Sequence, residues 1–116
     1  PRIHQLEDRT QTDVWDFQRP SKSDLHPTMK PIELMQKMIS NSSYRGEDVL
    51  DLFGGSGTTL IACENTDRKA YLMELDSQYS DVILHRYIDK IGSDTEVFLL
   101  RDGEKIAFEN VPKPLD

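Results

Sequence analysis

The sequence predicts an α/β domain with a parallel sheet, and two observations carry that prediction. An apolar run, 49–53, leads into the glycine-containing segment 54–57 and then into a helical pattern. A second apolar run, 70–75, carries the acidic residue Glu74, seventeen residues after Gly57. A glycine loop between strand and helix lets bare backbone approach a ligand, and an acid at the end of the next strand commonly accepts hydrogen bonds from ribose hydroxyls. The pattern therefore indicates a nucleoside-containing cofactor.

Before this unit, the sequence predicts a short strand, a loop and a helix. Residues 14–17 alternate in polarity, as a short strand does, and residues 19–24 have the composition of a loop. Pro31 lies where proline is tolerated, in the first turn of a helix. The apolar face of that helix consists of Ile32, Met35, Met38 and Ile39. The first strand of the sheet is then expected over 48–53.

After the glycine segment, the sequence predicts two helices separated by the strand 70–75. The first begins near Gly57 and carries Leu60, Ile61 and Cys63. The second starts at Asp76 or Ser77, because the side-chain oxygen of either can accept a hydrogen bond from a free first-turn amide. Gly92 is its C-terminal stop. Its apolar face consists of Tyr79, Val82, Ile83, Tyr87 and Ile91.

The C-terminal segment predicts a β-hairpin. Asp102-Gly103 lies between the apolar runs 97–100 and 106–108, and Asp-Gly at such a position is a strong turn signal. A length of 116 residues favours a single domain. We divide it into a lead-in segment, 1–25, a cofactor-binding core, 26–95, and the hairpin with its tail, 96–116.

Composition favours a soluble, cytoplasmic protein without a metal site. No apolar run approaches the roughly 18 residues that a membrane span requires, so no membrane contact is expected. Cys63 is the one cysteine, which excludes an internal disulfide and fits a reducing compartment. His4, His26 and His85 do not fall at metal-ligand spacing.

The charge is unevenly distributed, with a net value of −7. Residues 1–31 hold five Lys or Arg and five Asp or Glu, whereas residues 32–116 hold nine and sixteen. An acidic body is a poor surface for nucleic acid, because phosphate binding needs clustered cations. Any grip on DNA is therefore expected outside this segment or on the loop 19–30.

Three motifs in order give the chain a family resemblance. They are His26-Pro27-Thr28-Met29-Lys30-Pro31, then Asp51-Leu52-Phe53-Gly54-Gly55-Ser56-Gly57-Thr58-Thr59, then Glu74. The combination resembles the S-adenosylmethionine-binding part of DNA amino-methyltransferases, which methylate adenine N6 or cytosine N4, and it extends over roughly residues 12–92. The resemblance implies a partial Rossmann-like methyltransferase fold of three α/β/α layers, S-adenosylmethionine as cofactor, DNA as partner, and a place in restriction-modification.

The family's catalytic loop, Asp/Asn/Ser-Pro-Pro-Tyr/Phe, does not occur in this sequence. No two of its prolines are adjacent. The resemblance therefore implies that the chemistry and the recognition of the DNA target lie in an upstream part of a larger enzyme. No catalytic residue is assigned here, and the choice between adenine and cytosine stays open. A sheet edge left without its partner strand is expected to favour homodimers or other self-association.

The resemblance also implies roles around the glycine loop. Gly54, Gly55 and Gly57 would let the backbone approach the methionine part of the cofactor. Asp51 would accept from its ammonium group, or instead cap the following loop, and Phe53 would pack on its sugar or adenine. The loop residues Ser56, Thr58 and Thr59 complete this candidate set.

The remaining candidates lie in two other segments. Glu74 would bind the ribose hydroxyls, because a carboxylate accepts two hydrogen bonds and a diol offers two; a solvated strand end is the alternative. Asp76 would contact adenine or simply cap a helix. Thr28 and Lys30 would reach the methionine end, although Lys30 could also be an ordinary surface lysine. His26 would order that loop.

Other functions fit the same residues less well. A phosphate-binding P-loop is excluded, because no Gly-Lys-Ser/Thr follows the glycines. A NAD-binding fold is disfavoured, since the third glycine that packs helix against strand is missing. A methyltransferase for RNA, protein or small molecules is disfavoured by the segment 26–31. A non-catalytic remnant that binds the cofactor without methylating stays open.

Overall fold

The computed structural model describes Gln11 and residues 31–112, along which helices and strands alternate. The elements are α1 (Ile32–Ser42), β1 (Asp48–Asp51), α2 (Thr58–Asn65), β2 (Lys69–Leu72), α3 (Ser77–Ile91), β3 (Phe98–Arg101), β4 (Glu104–Ala107) and a final 3-10 helix (Phe108–Asn110). The short strand predicted over 14–17 lies outside the described residues.

β1 and β2 form a parallel pair in which Val49 lies opposite Ala70. α2 connects them, as a parallel pair requires a crossover. The hydrogen bonds continue beyond both strands: the Met73 N–H donates to the Asp51 carbonyl at 2.9 Å, and the Gly54 N–H donates to the Met73 carbonyl at 2.8 Å. These two hydrogen bonds join the start of the glycine segment to Met73, the residue that follows β2.

The core lies on one face of this sheet. Ile39 of α1 packs there with Ala62 and Cys63 of α2, and all three side chains are buried. Val49 and Ala70 face this cluster from the two strands. Burial of these apolar side chains supplies the main driving force for docking α1 and α2 onto the sheet.

The opposite face of the sheet is exposed in the part of the chain that the structure describes. Leu50 and Tyr71, paired in the register, are 67% and 50% exposed, and Leu52 and Met73 continue the alternation at 53% and 60%. Parallel sheets are normally covered on both faces. Residues 31–112 thus supply the sheet and one helical layer of an α/β/α fold, which confirms the predicted partial Rossmann-like class.

Capping and turn residues in the sequence predicted α3 and the hairpin correctly. The Asp76 carboxylate accepts from the Gln78 N–H at 2.9 Å, and Gly92 ends the helix at φ +83°. In the hairpin, Asp102 and Gly103 both have positive φ, 53° and 80°, as a type I′ turn requires. Arg101 lies opposite Glu104 across this turn.

The predicted strand ends were wrong. The first strand was expected to reach residue 53 and ends at Asp51, whose carboxylate accepts the Phe53 N–H. The second was expected over 70–75 and occupies Lys69–Leu72, so Glu74 lies two residues beyond it. An apolar run does not mark where pairing stops. Phe108, placed in the last strand, begins the 3-10 helix instead.

Candidate cofactor site

Two loops meet at the carboxyl ends of β1 and β2. The first, residues 54–57, is called the glycine loop below, and the second is the turn 73–76 between β2 and α3. Ligands of open α/β sheets bind at this end of the strands, where loops rather than a regular ladder surround the space. The structure therefore brings together most of the predicted site residues that it describes.

Asp51 ties the start of the glycine loop to α2. One carboxylate oxygen accepts the Phe53 N–H at 2.9 Å, and the other accepts the Thr59 hydroxyl at 2.6 Å. The side chain therefore caps the loop, which was one of its two predicted roles. Each carboxylate oxygen keeps a further lone pair, so this geometry is compatible with accepting from a ligand as well.

Glu74 ties the second loop to the first. Its Oε1 accepts the Gly55 N–H at 2.7 Å, and its Oε2 accepts the Asp76 N–H at 2.9 Å. The carboxylate is half-buried between the two loops rather than a solvated strand end. Asp76 in turn caps α3. Two backbone donors thus hold the Glu74 carboxylate in one orientation.

Ile83 of α3 packs closely against the glycine loop, so that a side chain added there would require Ile83 to shift. A Cβ atom added to Gly54 would lie 3.1 Å from Ile83 Cδ1, and one added to Gly57 would lie 3.2 Å from Ile83 Cγ1. Gly57 also has φ +86°, a conformation that L residues rarely adopt. Packing within the protein therefore favours glycine at positions 54 and 57, apart from any ligand.

Arg86 of α3 is a member of this site that the sequence analysis missed. Its Nη1 donates to the Ser56 carbonyl at 3.0 Å and lies 3.3 Å from both the Ser56 and Thr58 hydroxyl oxygens. Burial lowers the pKa of Arg86 from its ordinary value. A signal was present: Arg86 stands three residues after Ile83 and four after Val82, so it interrupts the apolar face predicted for this helix.

The other candidates differ in how far the structure describes them. Ser56, Thr58 and Thr59 are buried, whereas Phe53 is 87% exposed at the entrance to the glycine loop. His26, Thr28 and Lys30 lie outside the described residues. Within residues 31–112 and Gln11, no group of His, Cys, Asp or Glu side chains could hold a metal ion. In the same residues no helix is long and apolar enough to cross a membrane.

The chemistry gathered here suits holding a ligand. Two carboxylates provide hydrogen-bond acceptors at the ends of adjacent strands, and the glycine loop between them presents backbone without side chains. A carboxylate fixed by backbone donors can accept from a vicinal diol with little further ordering. A nucleoside with a charged or polar extension is the class of ligand that uses both features.

Comparison with known proteins decides the family. The N6/N4 methyltransferase family model, described as DNA methylase, matches residues 3–85. The chain belongs to this DNA methylase family. The match includes β1, the glycine loop and β2, and it confirms the family resemblance inferred from the three sequence motifs.

Curated relatives are type II and related DNA methyltransferases. The Citrobacter freundii methyltransferase M.Cfr9I is 34% identical over 89 residues, 77% of this chain and 29% of that protein. M.MthZI of Methanothermobacter thermautotrophicus is 32% identical over 111 residues, 88% of this chain and 31% of that protein. The DNA adenine methyltransferase YhdJ of Escherichia coli K12 is 39% identical over 77 residues, which are 63% of this chain and 26% of that protein. The chain thus spans less than a third of each of these relatives.

Solved structures agree with the family. The complex of M1.HpyAVI with S-adenosylmethionine shares 36% identity at a TM-score of 0.53 and covers 66% of this chain and 40% of that one. A putative DNA modification methylase of Thermus thermophilus, also solved with S-adenosylmethionine, shares 30% identity at a TM-score of 0.50. The match covers 66% of this chain and 28% of that one.

Proposed function

We propose that this chain is the S-adenosylmethionine-binding part of a DNA methyltransferase that modifies adenine N6 or cytosine N4. One observation carries the proposal: the Glu74 carboxylate, after β2, is held by the Gly55 N–H of the glycine loop after β1. An acceptor for ribose hydroxyls and a bare backbone are thereby adjacent. The two similar methylases solved with S-adenosylmethionine support the choice of cofactor.

In this proposal the two loops hold the two ends of the cofactor. Glu74 binds the ribose hydroxyls, with Asp76 near the adenine and Phe53 packing on the sugar or base. The glycine loop accommodates the methionine part, and Asp51 accepts from its ammonium group. The other proposed members of the site are Ser56, Thr58, Thr59, His26, Thr28 and Lys30.

We place the methyl transfer itself outside residues 1–116. The family's Pro-Pro-containing catalytic tetrapeptide is absent from them, so this segment alone is proposed to be inactive. DNA is engaged through another part of the enzyme, because the net charge of −7 repels phosphates. A target amino group in duplex DNA must also be flipped out of the stack to be reached. A cytoplasmic location is part of the same proposal.

We further propose that the isolated segment self-associates through its two-stranded sheet. Leu50 and Tyr71 form an exposed apolar pair, and in the described residues each strand has one edge without a partner strand. Open edges and apolar faces are templates for pairing with another chain. A second copy can cover both features at once.

Calorimetric titration with S-adenosylmethionine tests the proposed site. The wild-type chain should bind it, and Glu74→Ala should weaken binding by about 1–3 kcal/mol, because the ribose hydroxyls lose their acceptor. Glu64→Ala, an exposed carboxylate on α2, is the matched control and should bind as the wild type does. Tighter binding of NAD than of S-adenosylmethionine would refute the assignment.

Transfer of tritiated methyl groups to mixed-sequence DNA tests the proposed division of labour. The purified segment should give background counts even where calorimetry shows that the cofactor binds. Turnover by residues 1–116 alone would show that the segment carries its own catalytic groups.

A further inference from the structure

The guanidinium of Arg86 contacts the middle of the glycine loop from α3. Arg86 Nη1 lies 3.0 Å from the carbonyl oxygen of Ser56 and 3.3 Å from the hydroxyl oxygens of Ser56 and Thr58. Ser56 and Thr58 are 4% and 8% exposed, so these contacts are largely shielded from water. Hydrogen bonds from a charged donor are about twice as strong as neutral ones.

The peptide unit between Ser56 and Gly57 is fixed at both of its polar ends. Arg86 holds the carbonyl oxygen, and the Gly57 N–H donates to the Gly54 carbonyl at 2.9 Å. A peptide unit is planar, so holding its C=O and its N–H fixes the orientation of the whole plane. Without the arginine, the C=O would lose its charged donor, and glycine on the following side would permit the plane to rotate.

The Arg86 guanidinium does not stabilise α2 through the helix dipole. The first turn of a helix carries positive partial charge, which disfavours a nearby cation. Arg86 nevertheless reaches Thr58, the first residue of α2. The three contacts of Arg86 Nη1 hold the loop, and its positive charge also favours an anionic group bound there.

We infer that Arg86 is a positioning residue that fixes the glycine loop for the amino-acid end of the cofactor. This inference rests on the proposed function and adds a residue to it. It predicts a selective effect, in which loss of Arg86 weakens ligands that carry the amino-acid group while the adenosine end keeps its affinity. Glu74, which binds that end, is held by the Asp76 N–H and by the Gly55 N–H, and the latter belongs to a different peptide unit from the one that Arg86 fixes.

Two probes separate the two ends of the ligand. S-adenosylhomocysteine carries the amino-acid group and methylthioadenosine lacks it. Arg86→Met should lower the calorimetric affinity for S-adenosylhomocysteine about tenfold, because binding must then order a loop that has lost a charge-assisted hydrogen bond, and change that for methylthioadenosine less than about twofold. Arg86→Lys should recover part of the loss. Lys90→Met, an exposed site on the same helix, is the control and should bind both probes normally.

Every result of this experiment decides the inference. An equal loss for both probes, or no loss for either, would overturn it, because the first indicates general destabilisation and the second an idle arginine. If Arg86→Met does not fold, Thr58→Val removes one of the three acceptors and should give the same selectivity at smaller size; equal losses there would overturn it as well. A wild-type chain that binds neither probe would instead refute the proposed function and the inference with it.

Discussion

The Glu74 carboxylate accepts a hydrogen bond from the Gly55 N–H at 2.7 Å, so the acid after β2 holds the loop after β1. Its second oxygen accepts the Asp76 N–H at 2.9 Å. Both halves of the site therefore depend on one side chain. A carboxylate that is already oriented by two amides needs little further ordering to accept from a ligand.

Replacing Glu74 should destabilise the chain even without a ligand. Glu74→Ala leaves the Gly55 and Asp76 N–H groups without their acceptor, which should lower the free energy of unfolding by about 1–2 kcal/mol. Glu74→Gln keeps one side-chain oxygen and should cost less. Urea denaturation followed by circular dichroism measures both, with Glu64→Ala as the control. Equal stability of Glu74→Ala and wild type would mean that these two hydrogen bonds contribute nothing net.

Two glycines with nearly the same backbone conformation allow the stability cost of backbone strain to be measured separately from the cost of overpacking. Gly57 and Gly92 have φ of +86° and +83°, but only Gly57 has Ile83 within van der Waals reach of an added Cβ atom. Gly92→Ala should cost about 1 kcal/mol, from conformation alone. Gly57→Ala should cost about 2–4 kcal/mol, because overpacking is added to strain. Thermal unfolding of the two variants compares them directly. Similar losses would show that α3 yields easily and that the loop tolerates a side chain.

Cys63 should make the stability fall at alkaline pH. The side chain is 1% exposed, and burial raises the pKa of its thiol above the ordinary value, outweighing the opposing charge of Arg68. Because the folded pKa is the higher one, this contribution is complete below the ordinary thiol pKa. It is lost as pH rises from there toward the folded value, since the unfolded thiol ionises first. Urea denaturation at several pH values should show a steeper decline for wild type than for Cys63→Ala. Parallel profiles would contradict the prediction.

Self-association should depend on the exposed sheet face that carries Leu50 and Tyr71. Leu50→Lys places a charge on that face and should shift the population toward monomer, because the apolar contact between copies is lost. Leu100→Lys on the hairpin is the matched control, since the two leucines are 67% and 73% exposed. Sedimentation velocity over a range of concentrations measures the effect. A wild-type chain that stays monomeric at high concentration would refute the proposed interface.

The features that sequence analysis predicted correctly are those set by neighbouring residues. The Asp76 cap, the Gly92 stop and the Asp102-Gly103 turn each depend on a side chain or a φ angle within a few residues. The strand ends after Asp51 and Leu72 could not be read this way. Leu52 and Met73 are as apolar as the paired residues, so residue type alone does not show where regular pairing ends.

The candidate site likewise contains residues that the sequence predicted and one, Arg86, that it did not. The motif around the glycine loop and Glu74 indicated which residues would come together, because the order of strand, loop and acid is typical of such sites. Arg86 could not be assigned in the same way. Its position on the apolar face of α3 is a signal of burial, but its loop partners, Ser56 and Thr58, lie 30 and 28 residues away in sequence. Only the packing of α3 against the glycine loop identifies these partners.

We propose that the loops after β1 and β2 form one S-adenosylmethionine site. The most direct measurement is a titration of the 15N-labelled chain with S-adenosylhomocysteine, followed by amide chemical shifts. We expect saturable shifts that are largest at Gly55, Gly57 and Asp76, with little change in the hairpin 98–107 and no such response to NAD. Shifts confined to other residues, or saturation by NAD but not by S-adenosylhomocysteine, would contradict it.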